Sequence, residues 1–210
     1  VLPNALKFAA MESTPTLHND AHAAPQNPSE GIRKLGFWMF LGSEFLIFLG
    51  LIVAFAATRN HAKVWPTQKD MGLMLVSLNT FILLASSFTV AMSIESVRQN
   101  KKNNLVLYLV ITAVLGALFL MGQAVEYNNL INHEGHSFAD AFGTAFFTLT
   151  GLHGLHVLVG VIWCIAVVLR ATKGVYSSTR YATVEIFGLY WHFVDVVWIF
   201  IFTIVYLLNP

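Results

Sequence analysis

Five ionisable side chains lie inside long apolar stretches of the sequence, which makes them the candidates for chemistry: Glu44, His153, His156, His192 and Asp195. An ionisable group in hydrocarbon costs about 3 kcal/mol on insertion scales, so each one is by default a hypothesis of a functional site. An imidazole near a carboxylate can exchange protons or ligate a metal ion. The first interpretation is therefore a proton relay or a metal site.

Helical spacing brings some of these groups together. Residues three or four positions apart share a helix face, which pairs His153 with His156 and His192 with Asp195. A second interpretation is a hydrogen-bond network in which a histidine donates to Asp195 and no proton moves; such contacts average under about 1 kcal/mol between membrane helices. The residue types favour this network, whose predicted members are Glu44, Glu126, His153, His156, His192 and Asp195.

Two metal-binding alternatives stay open on the residues alone. A b-type haem needs ligands on opposite faces of one iron, which His153 and His156 on one helix face do not provide. His192 with one of them would, so geometry permits one haem at most. A zinc site of His153, His156 and Asp195 has accepted ligand types. The favoured prediction is that the chain binds no metal and no haem and has no catalytic residue.

Long apolar runs are the elements that position these groups. The chain is 56% hydrophobic and 11% charged, whereas a soluble domain has about 25% charged residues. A helix needs about 20 predominantly apolar residues to cross a bilayer, and β-barrel strands would be shorter and would alternate in polarity. We therefore predict an all-α membrane protein, a bundle of five transmembrane helices with spans at about 35–57, 71–94, 105–125, 142–169 and 186–208.

Loop charges predict the orientation of the bundle. With a cytoplasmic N-terminus and an external C-terminus, nine Lys and Arg residues lie inside and three outside, in agreement with the positive-inside rule. At a rise of about 1.5 Å per residue, Glu44, His156 and Asp195 then share one level near the bilayer middle. The inside set is Lys7, Arg33, Lys34, Arg98, Lys101, Lys102, Arg170, Lys173 and Arg180, and the outside set is Arg59, Lys63 and Lys69.

A polar, proline-containing segment precedes the first span. It predicts a flexible N-terminal tail over 1–34 followed by a transmembrane domain over 35–210. His18 and His22 lie in this tail, where two histidines on a mobile polar chain usually bind nothing specific. The near balance of 12 Lys and Arg against 11 Asp and Glu gives no indication of a basic nucleic-acid-binding surface.

Two sequence runs resemble subunit III of the haem-copper terminal oxidases: YWHFVDVVW at 190–198 and TGLHGLHV at 150–157. QAVEY at 123–127, LNT at 78–80 and Glu44 after Gly-Ser also fit this family. The resemblance runs from about Arg33 to Leu208. It implies the five-helix bacterial type of cytochrome c oxidase subunit 3.

The resemblance implies a role as well as a fold. It implies a bundle in the bacterial cell (inner) membrane that binds no haem or copper itself, with both expected in partner subunits. It also implies direct packing on subunit I, the presence of subunit II in the same complex, and structural phospholipid in a cleft. The resemblance further implies that the chain supports proton uptake and sustained turnover by an oxidase that reduces dioxygen to water and pumps protons.

The resemblance also assigns individual positions. Trp191 and Trp198 become interior aromatic packing residues, and Arg170 and Glu185 become candidate lipid-binding residues near the inner face. Met74 stands where mitochondrial-type members carry a carbodiimide-reactive carboxylate, so a role specific to that carboxylate is not expected here.

Three alternatives compete with a cytochrome c oxidase subunit. The first is a subunit III of a quinol oxidase, or the related accessory protein of nitric oxide reductase. The second is an autonomous proton-conducting protein that uses Glu44, His156 and Asp195. The third is a b-type cytochrome. The motif around Glu126 and the valine at position 194 favour the cytochrome c oxidase type.

Overall fold

A computed structural model describes residues 28–62, 65–66 and 72–208, with side chains from residue 31 onward. Within these ranges the secondary structure is almost entirely helical, and the last helix ends in a short π-helical turn, Thr203–Leu207. All five helices are long and apolar enough to cross a membrane, which confirms the predicted fold class. They are α1 (Pro28–His61), α2 (Leu73–Arg98), α3 (Lys102–Asn132), α4 (Ala141–Thr172) and α5 (Ala182–Phe202).

The helices extend past the predicted spans at most of their ends, because a span is counted from apolar residues and a helix continues into the polar interface. The first helix begins at Pro28, inside the segment predicted as a tail. Proline is well tolerated in the first turn, where its missing N–H would have no intrahelical partner. His18, His22, Lys7, Lys63 and Lys69 lie outside the described residues.

The fifth helix lies at the centre of the bundle and the first lies at its edge. Helix α5 packs against α1, α2 and α4, while α3 packs between α2 and α4. Half of the most apolar 18-residue stretch of α5 is buried, compared with 17% of the corresponding stretch of α1. Side chains of α5 are therefore the ones best placed to join helices.

Two glycines make room for the indole of Trp191. A Cβ atom at Gly116 of α3 would lie 2.7 Å from this ring, and one at Gly160 of α4 would lie 2.8 Å from it. Both distances are shorter than real side chains allow, so the ring packs directly on the two helix backbones. Small residues serve this purpose in many membrane helices.

Candidate functional site

Glu44 of α1 and His156 of α4 are joined by a hydrogen bond. The Glu44 Oε2 atom lies 3.1 Å from His156 Nε2. The other ring nitrogen, Nδ1, lies 2.8 Å from the carbonyl oxygen of Leu152, and the ring of Phe48 packs edge-on at 5.0 Å. Two residues predicted to share one level of the bilayer are thus brought into contact.

The two indoles of α5 donate to hydroxyl groups of α2. Trp191 Nε1 donates to Ser86 Oγ at 2.9 Å, and Trp198 Nε1 donates to Thr80 Oγ1 at 3.0 Å. Each hydroxyl in turn donates to a backbone carbonyl of its own helix, Leu83 and Val76 respectively. These chains of hydrogen bonds satisfy every polar atom involved, as buried polar groups require.

His192 also bonds to α2, since its Nδ1 atom lies 2.6 Å from Ser87 Oγ. Asp195 lies one turn further along α5 and is 3% exposed. Ser87 lies near the Asp195 carboxyl as well, but neither carboxyl oxygen of Asp195 has a hydrogen-bond partner among the described residues. The arrangement differs from the predicted one, in which a histidine donates to Asp195.

His153 lies in an aromatic cage. Its ring stacks on Trp198 with 4.7 Å between centroids, and the rings of Phe119 and Phe48 meet it edge-on at 5.8 and 6.4 Å. The side chain is fully buried, and neither ring nitrogen has a partner in the part of the chain that the structure describes. His153 and His156 therefore face different surroundings despite their spacing.

A second cluster of polar side chains joins α3, α4 and the π-helical turn that follows α5. Tyr206 donates to Glu126 Oε1 at 2.6 Å, and both residues are buried. Nearby, Gln123 Nε2 donates to the Thr150 carbonyl at 2.8 Å, and the hydroxyls of Tyr127 and Thr150 lie 2.7 Å apart. The sequence prediction contained Glu126 but not its partner, because an uncharged tyrosine near a helix end carries no distinctive signal.

Charged residues gather where α5 begins. Glu185 accepts from Lys34 of α1 at 2.6 Å and from Arg98 of α2 at 3.0 Å. This carboxylate therefore ties three helices together at one end of the bundle. Arg170 is exposed in the last turn of α4, at the same end.

An apolar groove of about 400 Å³ runs between α1 and α5. His192 is the one ionisable residue in its wall, so the groove suits a hydrocarbon ligand better than a polar one. The lining residues are Trp38, Leu41, Gly42, Phe45, Leu189, His192, Phe193 and Val196.

The alternative zinc ligands do not assemble. Over residues 28–62, 65–66 and 72–208, no three side chains of His, Cys, Asp or Glu come close enough to hold one metal ion. His156 turns toward Glu44, while His153 stacks on Trp198. The two histidines of the predicted zinc site therefore contact different residues, and the described residues offer no hydrogen bond to the Asp195 carboxyl.

The sequence matches the family model of cytochrome c oxidase subunit III over residues 9–209. Cytochrome c oxidase subunit 3 of Bacillus sp. (strain PS3) is 38% identical over 195 residues, covering 89% of this chain and 92% of that protein. Quinol oxidase subunit 3 of Bacillus spizizenii is 38% identical over 196 residues, covering 91% and 96%. Cytochrome c oxidase subunit 3 of Synechocystis is 39% identical over 192 residues, covering 90% and 80%.

Proposed function

Because the chain belongs to the cytochrome c oxidase subunit III family, we propose that it is the non-redox, lipid-binding subunit of a proton-pumping cytochrome c oxidase that reduces dioxygen to water. Its part is to stabilise the complex and to support proton uptake. One observation carries this accessory role: Trp191, Trp198 and His192 all bond to hydroxyls of α2. These polar groups hold helices together instead of converging on one reaction site.

The proposed lipid site is the groove between α1 and α5. Its apolar wall suits an acyl chain, and His192 is its one ionisable side chain. Arg170 is exposed in the last turn of α4, where its guanidinium would bind a lipid phosphate. Glu185 is held by Lys34 and Arg98, so its part in the proposed lipid site is to position these two cations.

The redox centres are proposed to lie in partner subunits. Haem and copper would be held by subunits I and II, and this chain would pack directly on subunit I. Helix α1 offers a large apolar face for such packing or for lipid, since Met39 and Leu46 are 71% and 66% exposed. The N-terminus is proposed to lie in the cytoplasm, because the basic loop residues then lie inside.

A comparison of the oxidase with and without this chain tests the proposal. The initial rate of oxygen consumption should be nearly unchanged when the chain is removed, whereas the number of turnovers before inactivation should fall. Adding the purified chain back should restore the number of turnovers. A loss of initial rate equal to the loss of lifetime would contradict the accessory role and indicate direct participation in catalysis.

The electron donor is tested separately. The relatives include both cytochrome c oxidase and quinol oxidase subunits, and we propose the cytochrome c type. The purified complex should consume oxygen with reduced cytochrome c as donor. Activity with quinol alone would assign the chain to the quinol oxidase type.

Autonomous proton conduction is the second candidate, and the Glu44–His156 contact is the observation that favours it. It predicts specific proton flux through liposomes that contain this chain alone. We expect no flux above that of empty liposomes. Specific flux that disappears in Asp195→Asn would show that an accessory role is an incomplete description.

A further inference from the structure

His192 has one ring nitrogen bonded within the bundle and one that is open. Its Nδ1 atom lies 2.6 Å from Ser87 Oγ of α2. Its Nε2 atom has no hydrogen-bond partner among the described residues, yet it is not one of their buried unpartnered atoms. Because His192 lines the groove between α1 and α5, this nitrogen is available to a ligand in the groove.

The bond to Ser87 makes the open nitrogen a donor. Thr80 and Ser86 donate their hydroxyl hydrogens to carbonyls of their own helix, whereas Ser87 makes no such bond in the described part of α2. Asp195 also lies near Ser87, but its carboxyl has no hydrogen bond within the described residues. The Ser87 hydrogen is therefore directed to His192 Nδ1. A neutral imidazole that accepts at Nδ1 carries its own hydrogen at Nε2.

The rest of the groove offers a ligand only apolar and aromatic surface. His192 is the one ionisable residue of its wall, and the nearby Glu44 is bonded to His156 of α4. The volume of about 400 Å³ is in the range of pockets that hold a small organic molecule. A matching ligand is therefore neutral and largely apolar, with one hydrogen-bond acceptor for the His192 N–H.

This N–H lies below the level of lipid headgroups. Glu185, which pairs with Lys34 and Arg98, marks the polar boundary seven residues before His192 on α5. At a rise of about 1.5 Å per residue, His192 is about 10 Å deeper, within a hydrocarbon half-layer of about 15 Å. The phosphate and ester carbonyls of a phospholipid stay at the boundary, so they would leave the N–H facing an acyl chain. The matching ligand has its acceptor inside the hydrocarbon layer.

We propose that the groove binds an isoprenoid quinone, with a ring carbonyl oxygen accepting from His192 Nε2. A quinone is neutral, has carbonyl acceptors on a flat ring, and continues into a hydrocarbon tail. Trp38, Phe45 and Phe193 give the groove aromatic walls, on which a flat ring packs well. The inference rests on the proposed function, because it names the lipid of the proposed groove site. The quinone is a bound ligand of this chain and exchanges no electrons with it.

Photolabelling of the intact complex tests the ligand without altering the chain. The probe is a benzoquinone whose short isoprenoid tail carries a diazirine. In this chain we expect it to label residues 38–45 and 189–196, and an excess of unlabelled quinone should displace it while phosphatidylglycerol should not. Labelling confined to other segments of the chain, or displaced equally well by phosphatidylglycerol, would overturn the inference.

A groove-filling variant gives a second test with a matched control. Gly42 lines the groove and Gly50 does not, although a Cβ atom at either glycine of α1 would have no atom of another described helix within 4 Å. Gly42→Leu should therefore lose the quinone label, whereas Gly50→Leu should keep it. Equal labelling of the two variants would count against the groove as the site.

The N–H donor is tested by changing His192. In His192→Leu, displacement of the probe should need about five times more unlabelled quinone, the effect of one lost hydrogen bond. His192→Gln keeps an N–H donor on a side chain of similar reach, so its loss should be smaller. The same displacement curve for wild type and His192→Leu would show that this residue does not bind the ligand.

A phosphatidylglycerol probe that carries a diazirine separates failure of this inference from failure of the proposed lipid site. If this probe labels the groove and the quinone probe does not, the inference is overturned and the proposed lipid site stands. If neither probe labels the groove, both are overturned. The accessory role is then judged by the number of turnovers before inactivation, which does not depend on either probe.

Discussion

Hydroxyl groups of α2 accept hydrogen bonds from the indoles of α5 and so orient both rings. Thr80 accepts from Trp198 while donating to the Val76 carbonyl. The Trp198 ring also covers His153. A single tryptophan therefore packs on α4 with its face and bonds to α2 with its edge.

Trp198→Phe should lower the stability of the complex. The substitution keeps an aromatic ring over His153 but removes the N–H donor to Thr80, and a net hydrogen bond contributes about 1 kcal/mol. Thermal unfolding of the purified complex measures the loss. The same substitution in a Thr80→Val background should cost less, because the acceptor is already absent. An equal cost in both backgrounds would show that the hydrogen bond contributes nothing.

Asp140 precedes α4 and caps its first turn. Its Oδ2 atom accepts from the Gly143 amide at 3.0 Å, and Oδ1 accepts from the Ser137 amide at 2.6 Å. Burial alone would raise the pKa of Asp140, but these bonds and His136 outweigh it, so the pKa lies below the usual value. The carboxylate therefore stabilises the folded chain more than the unfolded one.

Asp140→Ala should cost about 1 kcal/mol, the usual value of an N-cap. Because the folded pKa is lowered, the carboxylate's contribution is fully present above the unfolded pKa and is lost as pH falls through the folded one. The difference in unfolding midpoint between wild type and Asp140→Ala should thus be constant near neutral pH and shrink in acid. Asp140→Asn can still cap the helix but cannot ionise, so the unfolding midpoint of this variant should depend less on pH than that of the wild type. A difference that persists unchanged in acid would contradict the interpretation.

At the scale of the helices, close packing depends on a few glycines. Gly116 and Gly160 admit the ring of Trp191, whereas a Cβ atom at Gly36, Gly42 or Gly50 of α1 would have no atom of another described helix within 4 Å. Glycines of similar appearance in the sequence thus have different roles. The difference follows from position, since α1 lies at the edge of the bundle.

Gly116→Ala should destabilise the bundle by about 1–3 kcal/mol, the usual cost of overpacking. The new methyl group would lie 2.7 Å from Trp191 and 2.8 Å from Val161, so the ring must move. Gly151→Ala is the matched control in α4, because only the Tyr127 hydroxyl, at 3.5 Å, lies near its Cβ position. Tryptophan fluorescence and thermal unfolding measure both variants. Equal stability of the two variants would contradict this account of the packing.

The five helices follow directly from the sequence, because each apolar run is long enough to cross a bilayer and its backbone must then be helical. Counting residues along each span also placed Glu44 and His156 at one level, and the structure joins them. The same count placed Asp195 at this level, but its carboxyl has no hydrogen-bond partner among the described residues. Tertiary packing decides which neighbour each helix face meets, and the count of residues does not include it. Ser86 and Ser87 carry no signal, since uncharged hydroxyls are common in membrane helices. Thr80 belongs to the LNT run at 78–80 that fits the family, but the run does not identify Trp198 as its partner.

At the scale of the whole molecule, the chain is a multi-pass membrane subunit of a terminal oxidase complex. Helix α1 is the helix least buried within the bundle. Hydrogen bonds attach it through Glu44 to α4, through Lys34 to α5 and through Arg59 to the Leu208 carbonyl. The other four helices pack more extensively on one another. This arrangement leaves a broad apolar surface for lipid and for the proposed subunit I.

The most direct test of the non-redox role is the reduced-minus-oxidised spectrum of the complex before and after dissociation. The complex is isolated through an affinity tag on this chain and then separated into subunits in detergent. We predict haem bands in the intact complex and none in the fraction that contains this chain alone. Haem bands that remain with the isolated chain would contradict the account and assign it a redox centre of its own.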